Sequence, residues 1–94
     1  MLLEDMGEHD RALPLLEQAL EIDKKQLGPE HPSTADSMYR LASLLKAMGR
    51  LEEALPLFER DLAICYKRLG PAHPNTKQSE EIVKKLRRQL EAVV

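Results

Sequence analysis

His31 and His73 sit at matching places in two nearly identical octads, LGPEHPST at 27–34 and LGPAHPNT at 69–76. Histidine can bind a metal or move a proton near neutral pH, so chemistry is the first question these octads raise. The only other histidine is His9, and no HxxxH, CxxC or acidic cluster stands beside any of them. A metal site therefore lacks ligands at usable spacing, and a helix cap or an exposed ring is the expected role. Cys65 falls on an apolar helical stripe with no histidine near it in sequence and only Lys67 and Arg68 as close basic neighbours. That pattern suits a buried or half-buried thiol better than a nucleophile. Glu52–Glu53 and Glu80–Glu81 could be acid–base pairs, but both are expected in first turns of helices, where negative charge complements the dipole. GPEHP, with one glycine and two prolines, cannot form a phosphate-binding nest of N–H groups. The basic run KKLRR (84–88) could meet phosphate or an acidic peptide, yet Glu80 and Glu81 stand one turn earlier. Pairing at i,i+4 on a solvated face explains much of it. No catalytic group, metal or cofactor is expected.

If these residues do no chemistry, the elements that carry them set the problem. Ninety-four residues suit one small domain, and 32% are charged. The only aromatics are Phe58, Tyr39 and Tyr66; Leu, Ala, Glu, Lys and Arg dominate, which favours helices. Fourteen basic and sixteen acidic residues leave a net charge of −2, no overall drive toward nucleic acid. The sign is uneven: residues 1–47 carry −4 and residues 48–94 carry +2. A lone cysteine excludes an internal disulfide and fits a reducing, cytoplasmic setting. Apolar runs are too short to span a membrane, and MLLEDMG is unlike a signal peptide.

Shifting the chain by 42 residues overlays far more than the octads. Between Leu2–Thr34 and Leu44–Thr76, 18 of 33 positions are identical. Such identity at a fixed period marks one repeated supersecondary unit. Ala35, Met38, Leu41, Ala42, Leu45 and Met48 form one stripe at helical spacing, and Gly49 ends it. Leu51, Ala54, Leu55, Phe58, Leu62, Cys65 and Leu69 form the next. The fold class is all-α, an antiparallel helical-hairpin solenoid. Helices are expected over about 8–27, 33–48, 51–69 and 75–92, each packing on the next.

Every residue of the octad then has a stop or start role. Gly28 and Gly70 end helices in a left-handed turn, and Pro29 and Pro71 prevent resumption. Pro32 and Pro74 suit the first turn of the next helix, capped by His31 and His73 or by Ser33 and Asn75. Pro14 and Pro56 fall inside helices in both copies, where a bend or loosened turn is expected.

A 42-residue hairpin carrying LGPxHPxT and MGRxEEAxPLxERxLxI resembles the tetratricopeptide repeat family, and within it the long repeats of kinesin light chain and nephrocystin-3. Leu41, Ala42, Leu45, Gly49, Ala54, Leu55, Pro56, Phe58 and Leu62 carry the likeness, echoed by Leu3, Gly7, Ala12, Leu13, Pro14, Leu16, Ala19 and Leu20. The resemblance implies a scaffold for protein–protein interaction whose first helices line a concave, peptide-holding face. On this chain that face would show Asp36, Tyr39, Arg40, Ser43 and Lys46, extended by Gln78, Glu81, Lys85 and Arg88, with Glu4 and Asp5 at the far end. Its basic members suit an acidic partner segment. The chain departs from the family at Asp61, where a small apolar residue is usual, and at Tyr39–Arg40, where related repeats often show paired Asn. Asp61 is expected to reach solvent or pair with a basic side chain.

Three parts are expected: a partial repeat at 1–28, a full repeat at 29–70 and a capping helix at 71–94. Lys84 and Arg87 replace the apolar Ala42 and Leu45 of the preceding copy, which gives the last helix a polar outer surface. At the other end, MLLEDM is only a stump of a first helix. It leaves Ala12, Leu13, Leu16, Ala19 and Leu20 short of cover, so a two-fold dimer around residues 1–20 is an expected alternative use of the chain. A structural module terminating a longer array is the other.

Overall fold

The computed structural model describes residues 2–92, with side chains from residue 8 to 92. Four helices follow one another: α1 (Leu2–Leu27), α2 (Pro32–Ala47), α3 (Leu51–Leu69) and α4 (Pro74–Ala92). No strand interrupts them among the described residues. Among the described residues helix packing runs only between chain neighbours, α1 on α2, α2 on α3 and α3 on α4. That nearest-neighbour stack is the one-dimensional arrangement of a solenoid.

The joints are built as the octads suggest. Gly28 (φ 99°) and Gly70 (φ 86°) take positive φ after the last helical leucine. Three backbone bonds then recur in both copies. Gly28 N–H donates to Lys24 O, His31 N–H to Gly28 O and Ala35 N–H to His31 O, at 3.1, 3.4 and 3.0 Å. Gly70, His73 and Lys77 repeat them at the same three distances. The caps are the histidines: His31 Nδ1 accepts from Ser33 N–H and His73 Nδ1 from Asn75 N–H, each at 3.1 Å. An accepting Nδ1 places the ring proton of the neutral imidazole on Nε2. Thr34 Oγ1 adds a 2.7 Å bond to Gly28 O, whereas the equivalent buried Thr76 hydroxyl has no partner among the described residues. The α2–α3 turn is a Schellman closure: Arg50 N–H reaches Leu45 O at 2.8 Å and Gly49 N–H reaches Lys46 O at 3.0 Å.

The core lies along α2 and α3, the two helices with a neighbour on both sides. Met38, Leu41, Ala42 and Leu45 of α2 meet Ala54, Phe58 and Ile64 of α3, with Leu20 from α1 and Val83 and Leu86 from α4. Phe58 is fully buried and packs in a T-shaped pair with the Tyr39 ring, centroids 5.7 Å apart at 76°. Ala42 and Ala54, both with no exposed surface, fill positions where a larger side chain would overpack the core. On α4, Lys77, Glu80, Lys84 and Arg87 stand where α2 has the buried Ala35, Met38, Ala42 and Leu45. The face that α2 turns into the core is thus charged on α4.

Several expectations need correction. Residues 2–6 form no separate stump, because α1 runs unbroken through Gly7. Six residues cannot meet the cost of nucleating their own helix, whereas carrying a glycine inside a longer one costs about 1 kcal/mol. Pro14 and Pro56 do lie inside helices, as expected, both on exposed positions where water can take the carbonyls they release. Glu80 and Glu81 lie in the second turn of α4, not the first, since that helix begins at Pro74. They form no ion pair with Lys84 or Lys85 among the described residues; instead Arg87 crosses to Glu59 of α3 at 2.7 Å.

Gly70 combines φ 86° with ψ 164°, a region essentially confined to glycine, and a Cβ there would meet nothing within 4 Å. Gly70→Ala should therefore destabilise by about 1–3 kcal/mol through backbone strain alone. Urea unfolding would show this as a lower midpoint at unchanged slope; an unaltered midpoint would contradict it.

Candidate functional site

A groove of about 550 Å³ opens between α2 and α4 with α3 as its floor. Pro32, Ala35, Asp36 and Tyr39 form one wall, and Asn75, Gln78 and Ser79 the other. Asp61, Ile64, Cys65, Arg68 and Leu69 come up from α3. The walls belong to the two helices that each follow a histidine-capped joint, so the repeated octad sets where both begin. Gln78 Nε2 donates to Tyr39 Oη at 3.4 Å and ties the walls together.

The floor holds the main departure from expectation. Asp61 neither reaches solvent nor pairs with a cation: it is 4% exposed and forms no ion pair among the described residues. Ser79 Oγ donates to its Oδ2 at 2.7 Å, and Cys65 Sγ lies 3.7 Å from Oδ1 as a weak donor. Burial raises the Asp61 pKa; the bonds from Ser79 and Cys65 oppose the shift, and the Asp36 charge adds to it. Burial, followed by the Asp61 charge, also raises the Cys65 thiol, which keeps it protonated and a poor nucleophile.

The first copy holds the same device one turn away. Ser37 Oγ, the counterpart of Ser79, donates to Asp23 Oδ2 at 2.6 Å. Shifted by 42, Ala19 and Asp23 align with Asp61 and Cys65, so the carboxylate has moved back one helical turn while its serine partner stayed in register. Each pair links a helix to the next across the stack. The alignment alone contained this signal, because a small residue and an acid trade places four residues apart opposite an unchanged serine.

Of the residues expected on the concave face, Asp36, Tyr39 and Gln78 line this groove. Arg40 bonds back to Asp36 at 3.0 Å and borders a separate groove of about 460 Å³ between α1 and α2, with Asp23 and Ser37. Ser43 is half-buried further along α2. Lys46, Glu81, Lys85 and Arg88 are exposed, line neither groove, and make no ion pair among the described residues. Position in sequence missed Asp61, Ile64, Leu69 and Ser79, which supply the floor and its polar centre.

The raised pKa fixes the sign of a pH effect. The native state holds the Asp61 proton more tightly than the unfolded chain, so its contribution to stability is full below the ordinary aspartate value of about 3.9 and is lost as pH rises through the folded value. Asn can still accept from Ser79 but has no charge to desolvate. Asp61→Asn should be neutral or stabilising by up to about 1 kcal/mol at pH 7, with the gain vanishing below about pH 4. Urea midpoints across pH would check it; a loss of several kcal/mol at neutral pH would mean a cation partner.

No group of three or more His, Cys, Asp or Glu at metal-binding spacing occurs among the described residues. No helix there is long and apolar enough to cross a membrane. A comparison with curated proteins gives no match. The family model described as tetratricopeptide repeat matches residues 1–67, most of the chain and all of the α1–α2–α3 stack up to Lys67. The chain belongs to the tetratricopeptide repeat family.

Proposed function

We propose that this chain is a protein-interaction scaffold that holds a partner segment along the face formed by α2 and α4. Repeats of this family generally mediate protein–protein interaction and are typically non-enzymatic. The observation that supports the reading here is the groove itself, a space of about 550 Å³ lined by α2, α3 and α4. Further along the same two helices Lys46, Lys85 and Arg88 are exposed and without ion pairs among the described residues, and these suit carboxylates on the partner. The 42-residue period, the LGPxHPxT joints and the lone cysteine fit a cytoplasmic scaffold of the kinesin-light-chain type. In this reading residues 1–28 are a partial repeat, 29–70 a full one, and 71–94 a capping helix whose charged outer face needs no cover.

Titration of acidic peptides tests these cations. Lys46→Ala combined with Lys85→Ala should lower affinity about three- to tenfold and flatten its salt dependence, with helical content unchanged. Equal affinity in the double variant would move the site away from them.

A second reading, self-assembly, is favoured by one observation on α1. Leu57 and Ile64 of α3 are packed into the core, Ile64 with 6% exposed. Their counterparts at a shift of 42, Leu15 and Ile22, are 66% and 51% exposed, because α1 has a helix on one side only. The bare face is therefore not the stripe expected from sequence: Leu20 is buried, and Leu13 and Leu16 pack against the core. If copies associate there, sedimentation should show a concentration-dependent dimer in the wild type that Leu15→Glu or Ile22→Glu returns to monomer. A monomer at all concentrations would remove this second use.

A further inference from the structure

The groove contains the materials for holding a long cationic side chain. Its apolar members Ala35, Ile64 and Leu69 offer a sheath for methylenes, and Tyr39 offers an aromatic wall. At its floor Asp61 is buried but bonded only by two neutral donors, Ser79 and Cys65. Two neutral donors do not use the full accepting capacity of a carboxylate, whose two oxygens can take a bidentate guanidinium as well.

The charges around Asp61 decide the sign of the guest. From α2 comes Asp36, whose nearest cation, Arg40, holds it from the side of the other groove. From α4 come Asn75, Gln78 and Ser79, all uncharged. From α3 itself comes Arg68, exposed in the last turn. Arg68 makes no ion pair with Asp61; its field reaches Glu30, whose carboxyl is held low chiefly by the hydrogen bond from Lys67 and further by the Lys67 and Arg68 charges. The floor thus has one buried acid with no cation of its own.

We propose that the α2–α3–α4 groove is a specificity pocket for a basic side chain, arginine or lysine, of the partner segment, with Asp61 as the group that receives its charge. This rests on the scaffold reading above and sharpens it: the acidic residues of the partner face the exposed Lys46, Lys85 and Arg88 further along α2 and α4, and one basic residue among them enters the groove. Ser79 acts as a positioning residue, holding the carboxylate upright across the α3–α4 contact. Arg68 stands at the mouth as a competitor for the same acid.

The test separates the pocket from the scaffold reading by using small probes on the intact chain. n-Propylguanidinium and its neutral isostere n-propylurea are titrated at millimolar concentration while backbone amide shifts are followed by NMR. The guanidinium should shift the amides of Asp61, Cys65, Ser79 and Tyr39 saturably, and the urea should not. Asp61→Asn should weaken the guanidinium response at least fivefold, and Arg68→Ala should leave it unchanged or strengthen it. Equal responses to the two probes in the wild type would overturn the proposal without any variant, as would full retention in folded Asp61→Asn. The scaffold reading stands or falls separately on the acidic-peptide titrations, so a failure of the pocket with peptide binding intact would assign the groove floor a purely structural role.

Discussion

The arrangement depends on a backbone constraint met twice, a residue at positive φ immediately after the last turn of a helix. Gly28 and Gly70 satisfy it, and each is followed by the same proline, histidine cap and proline start. With helix ends held to the same three bond lengths in both copies, α2 and α4 leave their joints in equivalent settings. The position of the groove follows from that equivalence. Two first helices flank α3, and the space between them is the groove.

Burial of Asp61 runs against the usual preference for apolar floors. A carboxylate taken out of water without a cation is costly, and here only a hydroxyl and a thiol offset the loss. Asp23 meets Ser37 in a half-buried position. The same serine–aspartate contact thus carries a smaller desolvation cost in the first copy than in the second. Sites that break the local rule of a fold are where binding function concentrates.

Much of this was legible in the sequence, for identifiable reasons. The octads state helix ends through residue types with few alternative uses, so three of the four helices were readable to within a residue at their starts and ends. α1 was not, because Gly7 reads as a break only when a full helix precedes it, and six residues are too few. Asp36, Tyr39 and Gln78, which the likeness to the repeat family puts on the concave face, do line the groove. Asp61 was not, since a lone carboxylate in sequence points to solvent or a cation, and the outlet it uses is a neutral hydroxyl from the following helix. The Glu80–Lys84 and Glu81–Lys85 spacing suggested local pairs, yet Arg87 found Glu59 across the helix contact instead. Spacing along one helix describes opportunity; the neighbour decides which is used.

Packing that links only chain neighbours also limits how far a disturbance travels. α2 and α4 share no direct helix packing and communicate through α3, apart from the Tyr39–Gln78 bond. Amide hydrogens in α2 and α3 should outlast those of α1 and α4 in exchange with solvent, as the end helices open without dragging the centre. A ligand seated in the groove would touch three helices at once and add to the Tyr39–Gln78 bond between α2 and α4. Occupancy would then be felt as slower opening of α4, so a bound segment would act as a structural member of the stack.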